Sequence, residues 1–293
     1  MSPAAWSASR SAPTAWRCAK SSTGRSLDTL FLQEPANDNA PPVAKWIEAV
    51  KFKTLDFQLN ASPVVASGYL RRMLWEKAAG VVLASATMTT LGNFDDFLRR
   101  TGLASYDVTT VDLPSPFDYE TQGTINIPAM PNPKDYEKHT AALTDRLIED
   151  LGNQGPEGML VLFTSRRQME DVAGRLPAAL RGRCLVQGEQ SKREIIEEHC
   201  KRIDAGKPSV IFGLSSFTEG VDLPGAYCSM VVITKLPFQV PDSPVLRALS
   251  DWIERRGGNP FIEISCTDAS RKLEQAVGRL IRTETDSGQV VIT

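Results

Sequence analysis

The chain lacks cysteine pairs. Cys18, Cys184, Cys200, Cys228 and Cys266 are five in number, and none stands in a C-x-x-C pair. An odd, scattered set argues against a disulfide framework and against a metal knuckle. Cys184 and Cys228 fall in apolar, strand-like runs, where a thiol is expected to be buried and inert. Such cysteine usage fits the cytoplasm. Histidine is scarce as well: His139 and His199 are the two in 293 residues. Neither has an evident acid–base partner, and both are expected at the surface or its boundary. Excess positive charge is missing, since 33 Lys and Arg stand against 35 Asp and Glu, a formal net charge of −2. Contact with a polyanion must therefore come from a local surface. No apolar run reaches the length of about 18 residues that a membrane-spanning helix needs. The first 27 residues hold no acid and are rich in Ser, Ala and Arg. That composition resembles an organellar transit peptide. It has no clear amphipathic period, however, so a poorly ordered or mis-started leader is the preferred expectation.

What is present is an ordinary globular composition, 42% hydrophobic and 23% charged. It suffices for one large domain or two modest ones. Three segments are expected. Residues 1–40 form the leader, ending in the loop Pro35–Pro42. Residues 41–79 form a helical segment, with Val43, Trp46, Ile47 and Val50 at helical spacing and a second helix over Ser67–Lys77. Over residues 80–293 short apolar runs alternate with amphipathic stretches. Strands are expected at Val81–Ala84, Val108–Val111, Thr124–Ile127, Met159–Phe163, Cys184–Val186, Val210–Phe212, Met230–Ile233 and Gln289–Ile292. Helices are expected at Phe94–Thr101, Asp135–Leu151, Arg166–Leu176, Lys192–Ile203, Val245–Arg255 and Ala269–Arg282. This alternation implies an α/β fold, a mostly parallel sheet with helices on both faces. Ligands in such folds sit beyond the C-terminal strand ends. Ser165–Gln168 and Ser191–Glu194 both fit the S-x-x-E/Q capping box, which supports two of the helix starts.

Four stretches carry chemistry. In Gln275–Arg282, helical spacing would place Gln275, Gly278, Arg279 and Arg282 on one face. Two guanidiniums, an amide and a missing side chain suit a phosphate-bearing ligand; a solvated basic face is the plain alternative. In Gly213–Gly225, the acids Glu219 and Asp222 stand in a Gly- and Ser-rich loop that follows an apolar strand. An ordinary turn-rich connection is the alternative there. In Leu83–Met88, Ser85 and Thr87 could relay a movement, bind a phosphate or cap a helix. In Leu160–Arg167, Thr164 and Ser165 precede a helix start with two arginines. That arrangement suits a phosphate, or equally a plain capped helix.

Taken in order, S-A-T, F-T-S, S-F-T-E-G-V-D-L-P-G and Q-A-V-G-R-L-I-R resemble the second RecA-like lobe of superfamily-two helicases. The branch is the DinG/XPD-like one, and within it the bacterial DinG proteins most of all. Leu113–Phe117, Leu236–Phe238, Asp242–Val245 and Asp286–Ile292 add to the resemblance, which runs from about Pro41 to Thr293. It implies a RecA-like lobe of P-loop-NTPase type within a motor that couples ATP hydrolysis, with Mg²⁺, to 5′→3′ movement on single-stranded DNA. It makes Arg282 the arginine finger, with Arg279 beside it, and gives Gln275 the γ-phosphate or the attacking water. Glu219, Gly220, Asp222 and Gly278 would line the nucleotide cleft, and Ser85 and Thr87 would link hydrolysis to movement. Thr164, Ser165 and Ser216 would touch the DNA backbone. The sequence departs from the full pattern, because it holds no G-x-x-x-x-G-K-[ST] phosphate loop and no D-E-A-H-type acidic box. The iron–sulfur cluster of some family members is not expected either, since Cys18 alone lies upstream. The chain therefore reads as a fragment, inactive by itself and needing a first lobe with the Walker motifs as partner. A non-catalytic module for single-stranded DNA or a protein partner, and a nonfunctional remnant, are the alternatives.

Overall fold

A computed structural model describes residues 40–51, 55–152, 155, 157–218, 220–239 and 242–293. The expected leader, apart from Ala40, lies outside the described residues, and so does Glu219. The main elements in chain order are β1 (Val43–Lys51), β2 (Leu55–Pro63), α1 (Ser67–Met73), α2 (Asp95–Thr101), β3 (Gly123–Asn126), α3 (Tyr136–Asp150), β4 (Gly158–Leu162), α4 (Arg166–Arg175), β5 (Cys184–Val186), α5 (Lys192–Asp204), β6 (Ser209–Gly213), β7 (Met230–Ile233), α6 (Pro244–Arg255), α7 (Thr267–Val277) and β8 (Gly288–Ile292). The chain divides into two compact units. One comprises the chain through Leu83 with Asp95–Val108 and Val240–Ser265; the other comprises Ala84–Phe94, Thr109–Gln239 and Cys266–Thr293.

In the first unit, β1 and β2 pair antiparallel from Val43↔Pro63 to Lys51↔Leu55. The helix expected at Val43–Val50 is thus a strand. Its apolar spacing fits a helix, but nine residues of a neighbouring strand satisfy its backbone groups instead, and Val43, Ile47 and Val50 are β-branched. The segment 41–79 is therefore helical only in its second half, where α1 is followed by a single 3₁₀ turn at Trp75–Lys77. Trp252, Ile253 and Ile264 form a small core with Val65, Leu246 and Leu249. Helix α6 starts where Ser243 Oγ accepts from the Leu246 amide, with Pro244 in the first turn. The carboxylate of Asp96, nearly buried, is held by Arg99 Nη2 at 2.9 Å and Arg100 Nε at 2.8 Å.

The second unit is built on a six-stranded sheet in the order β3-β8-β7-β4-β6-β5, parallel throughout. Side chains alternate across it, as a period of two requires. Met159, Val161 and Phe163 meet Leu143 and Leu147 of α3 and Met169 and Val172 of α4. Leu160 and Leu162 face the other way, onto Ile195 of α5 and Ala276 of α7. Strands buried on both faces explain the near-continuous apolar runs. At the N-terminal strand ends the backbone comes very close. A Cβ on Gly158 would lie 2.2 Å from the Tyr227 carbonyl oxygen, and one on Gly288 would lie 2.1 Å from that of Ser229. Only glycine admits this crossing.

Two expected strands are missing. Val81–Ala84 and Val108–Val111 are in irregular conformation, and Val82 is 93% exposed. A strand needs a neighbour for its N–H and C=O groups, and no described residue of this chain supplies one to these runs. The capping boxes are also unequal. Ser191 and Glu194 form a full box. Ser165 caps the Gln168 amide, but the Gln168 side chain turns inward and donates to Thr140 Oγ1, with His139 Nδ1 also 3.1 Å away.

Both histidines are wholly buried rather than superficial. His199 Nδ1 lies 2.9 Å from Ser209 Oγ, and its Nε2 lies 2.8 Å from the Tyr227 carbonyl, tying α5 to β6 and to the turn before β7. Burial pushes both imidazoles below the usual histidine range. The folded chain therefore keeps them neutral, while the unfolded chain takes up protons below about pH 6.5. Stability should be full above that pH and fall as pH drops toward the lowered folded values, by at most about 1.4 kcal/mol per pH unit for each histidine. Urea midpoints taken between pH 7.5 and 5.5 should show this slope. His199→Gln should flatten it, and an unaltered slope in that variant would exclude His199 as a source.

Candidate functional site

The C-terminal ends of β4, β6 and β7 run into the loops that hold most of the candidate residues. Beyond β4 come Phe163, whose amide donates to the Gly213 carbonyl at 2.8 Å, then exposed Thr164 and the cap residue Ser165. Beyond β6, Leu214 N donates to Gln187 Oε1 at 2.7 Å, and a 3₁₀ turn covers Ser215–Phe217. Phe217 is fully buried and anchors this turn. Lys192 Nζ donates to the Ser216 carbonyl at 2.6 Å, which leaves the exposed Ser216 hydroxyl to the surface. Beyond β7, Thr234 ties back to the Leu162 carbonyl through its amide and its hydroxyl, both at 3.1 Å. Together these loops bound a cleft of about 630 Å³ lined by Thr164, Arg166, Ser215, Ser216, Thr218, Lys235, Phe238 and Lys272 over an apolar floor. Three cations and four hydroxylic residues face it, and no acid is among its described lining residues.

The arginine cluster lies at the end of α7. That helix stops at Val277, with Gly278 as its cap, rather than continuing to Arg282 as expected. The Arg279 and Leu280 amides make i→i−3 bonds to Ala276 and Val277. Two amides further on are captured by Asp286: Oδ2 accepts from Arg282 N at 2.7 Å and from Thr283 N at 2.9 Å. Its Oδ1 accepts from Thr283 Oγ1 at 2.6 Å and from Gly225 N at 3.1 Å. This carboxylate, 4% exposed, therefore joins the arginine loop to the loop after β6. Burial acts to raise its pKa, but the bonds from the Thr283 hydroxyl and from the Arg282, Thr283 and Gly225 amides outweigh it and hold the group below the usual carboxylate range. Gln122 Nε2 pins the same loop by donating to the carbonyls of Thr283, Glu284 and Asp286 at 3.2, 3.0 and 2.9 Å.

The turn still brings the two arginines together. Arg279 Nη1 and Arg282 Nη2 donate to the same Val221 carbonyl at 2.7 and 3.1 Å. Arg282 Nε lies 3.7 Å from Asp222 Oδ1 and makes no hydrogen bond. Half-buried Gln275 adjoins through its carbonyl, which accepts from Arg279 Nε at 3.2 Å. Gly220 has φ +61°, a left-handed conformation that glycine takes without strain. Gln275, Gly278, Arg279, Arg282, Gly220 and Asp222 are thus neighbours, and Thr164 and Ser216 share the cleft. Ser165 spends its hydroxyl on the helix cap. Ser85 and Thr87 line neither place; the Thr87 amide bonds to Ser85 Oγ at 3.3 Å in a local turn. Lys235 and Lys272 were not singled out in the sequence, and Phe238 and Asp286 fell in the stretches Leu236–Phe238 and Asp286–Ile292 that carried the resemblance but had no role assigned to them. A Lys and a Phe just past an apolar strand were the available signal for two of them.

The two buried thiols, Cys184 and Cys228, have pKa values pushed up to about 12 by burial and take no part in this chemistry.

Residues 148–293 match the family model described as helicase C-terminal domain. The ATP-dependent DNA helicase DinG of Photobacterium profundum is 42% identical over 266 residues, which is 89% of this chain and 38% of that protein. The ATP-dependent DNA helicase DinG of Escherichia coli (strain K12) is 35% identical over 262 residues, covering 88% and 36%. The chain thus spans less than two fifths of the length of these relatives. Two solved structures, described as XPD apo and XPD helicase, share its fold with TM-scores of 0.56 and 0.57 at 18% and 19% identity. They cover 81% of this chain and 49% and 43% of their own. The six-stranded parallel sheet thus has the RecA-like α/β fold shared with these two structures.

Proposed function

We propose, since this chain belongs to the DinG/XPD-like helicases and carries their helicase C-terminal domain, that it supplies the second motor lobe of an ATP-dependent 5′→3′ DNA helicase. The observation that carries this reading is the convergence of Arg279 and Arg282 on the Val221 carbonyl. A neutral carbonyl is a modest partner for two guanidiniums. A γ-phosphate offers more charge and bidentate geometry, so the arginines exchange one for the other when nucleotide arrives. Arg282 then stabilises charge on the transferring phosphoryl group, Arg279 supports it, and Gln275 orients the nucleotide or the attacking water. Gly220 and Asp222 line the nucleotide side, with Glu219 between Thr218 and Gly220 in sequence.

The phosphate cradle comes from a partner lobe carrying the Walker motifs, because the sequence has no G-x-x-x-x-G-K-[ST] run. The residues present fit a nucleotide's γ-phosphate. The accompanying Mg²⁺ is assigned to the partner lobe with the phosphate cradle, because such an ion is held by one or two carboxylates together with the phosphates themselves.

The cleft is complete within one unit, and this favours single-stranded DNA binding even without ATP turnover. The Thr164 and Ser216 hydroxyls and the amides around Ser165 take the backbone phosphates, with Arg166, Lys235 and Lys272 supplying charge. Binding of oligo(dT) by the purified chain should weaken steeply with salt, log K falling against log[salt] with a slope of about −0.7 per phosphate contact. Fluorescence anisotropy between 50 and 200 mM salt measures this, and a flat response would overturn the phosphate-contact reading.

A further inference from the structure

Phe238 is 42% exposed and lines the same cleft as Thr164, Ser216 and the three cations. A large aromatic ring beside Arg166, Lys235 and Lys272 is more than phosphate contact requires, since hydroxyls and charge alone would track a backbone. We propose that Phe238 is a stacking platform for one base of single-stranded DNA whose backbone runs over Arg166, Lys235 and Lys272. The proposal rests on the nucleic-acid reading above and adds to it the class of contact, base face rather than backbone.

Three observations support it. The first is exposure next to charge: aromatic faces interleaved with cations are how proteins hold single strands without reading sequence, because every base has a π-face. The second is rigidity. Thr234 fixes the end of β7 to Leu162 through two bonds. Pro237 lies inside a tight turn closed by the Phe238 amide on the Leu236 carbonyl at 2.8 Å. The ring is thus carried on a backbone that has little freedom to lose when a base arrives. The third is room. About 630 Å³ lined by the apolar Leu214, Ile233 and Pro237 as well as by hydroxyls and cations is room for one nucleotide, with apolar surface for a base and polar groups for a phosphate.

The test is equilibrium binding of the purified 293-residue chain to fluorescein-labelled oligo(dT) and to an abasic sugar–phosphate strand of equal length. The wild-type chain should prefer oligo(dT). Phe238→Ala should weaken oligo(dT) binding by roughly 10-fold and leave abasic binding unchanged, while Phe238→Trp restores the preference. Salt slopes should stay equal in wild type and Phe238→Ala, whereas Lys235→Ala should lower the slope without removing the preference. Circular dichroism of each variant checks that the fold is intact. Equal binding of oligo(dT) by wild type and Phe238→Ala, or equal losses on both strands, would overturn the platform and leave the phosphate reading standing. A wild-type chain that binds neither strand would overturn both.

Discussion

Alanine at position 282 is expected to lower ATP turnover of the assembled motor about 10³–10⁵-fold, the range seen when an arginine finger is removed from phosphoryl transfer. The assembled motor here means this chain together with a separately supplied lobe bearing the phosphate-loop motif. The fold should scarcely notice the change. Val221 keeps its 2.7 Å bond from Arg279, and Arg282 Nε has no hydrogen bond to lose. The stability cost should be about 1 kcal/mol or less, the net worth of one such bond. Lysine at 282 keeps the charge but not the planar fork, so it should recover only part of the activity. Turnover is measured with and without single-stranded DNA, beside the chain alone, which should hydrolyse none. DNA-stimulated turnover by the chain alone, abolished by Arg282→Ala, would mean that a phosphate cradle lies within these residues and that the division between two lobes is wrong. Full activity of the assembled Arg282→Ala motor would remove Arg282 from the chemistry.

Asp286→Ala should act mainly on the fold, and strongly. The carboxylate accepts from the Arg282, Thr283 and Gly225 amides and from the Thr283 hydroxyl. Its removal leaves three part-buried amides without their acceptor, at a cost of about 3 kcal/mol. Urea unfolding at pH 7 measures this. The pH dependence separates it from the histidines. Because the folded pKa of Asp286 is depressed, its contribution is present above the unfolded carboxylate value near pH 4 and is lost as pH falls through the lower folded value. The gap between wild type and Asp286→Ala should therefore stay constant from pH 7.5 to 5.5, where the histidine effect develops, and narrow only below about pH 4. A gap that closed between pH 7 and 5 would contradict the assignment. Since Asp286 sets the course of the chain at Arg282, the variant should also lower turnover of the assembled motor through a misplaced guanidinium.

The parallel sheet was legible because both faces of its strands are buried. Met159–Phe163, Val210–Phe212 and Met230–Ile233 could hardly be anything but strands when bounded by turns and separated by amphipathic helices. The hairpin of β1 and β2 was not legible. Val43, Trp46, Ile47 and Val50 satisfy a helical period, and only pairing with Leu55–Pro63 decides against it. Val81–Ala84 failed in the opposite sense: its residues favour a strand, but no described partner pairs with them. The histidines were misplaced because burial of a lone imidazole depends on distant acceptors, here Ser209 and the Tyr227 carbonyl for His199.

At the site, residue types and spacing marked Gln275, Arg279 and Arg282 as a candidate phosphate face but left a solvated basic face equally open, and only the resemblance to a helicase lobe chose between the two. The sequence by itself thus determined the sheet and its strand-end loops and offered the arginine pair as a candidate, because hydrophobic period and side-chain chemistry are local properties. Only the tertiary structure decided how that pair is held. The helix that was to carry Arg282 ends at Val277, and Asp286, Gln122 and the Val221 carbonyl take over its positioning. Along the chain Val221 lies 61 residues from Arg282, and Gln122 lies 164 residues from Asp286. A hydrogen bond across such separations leaves no period in the sequence to read.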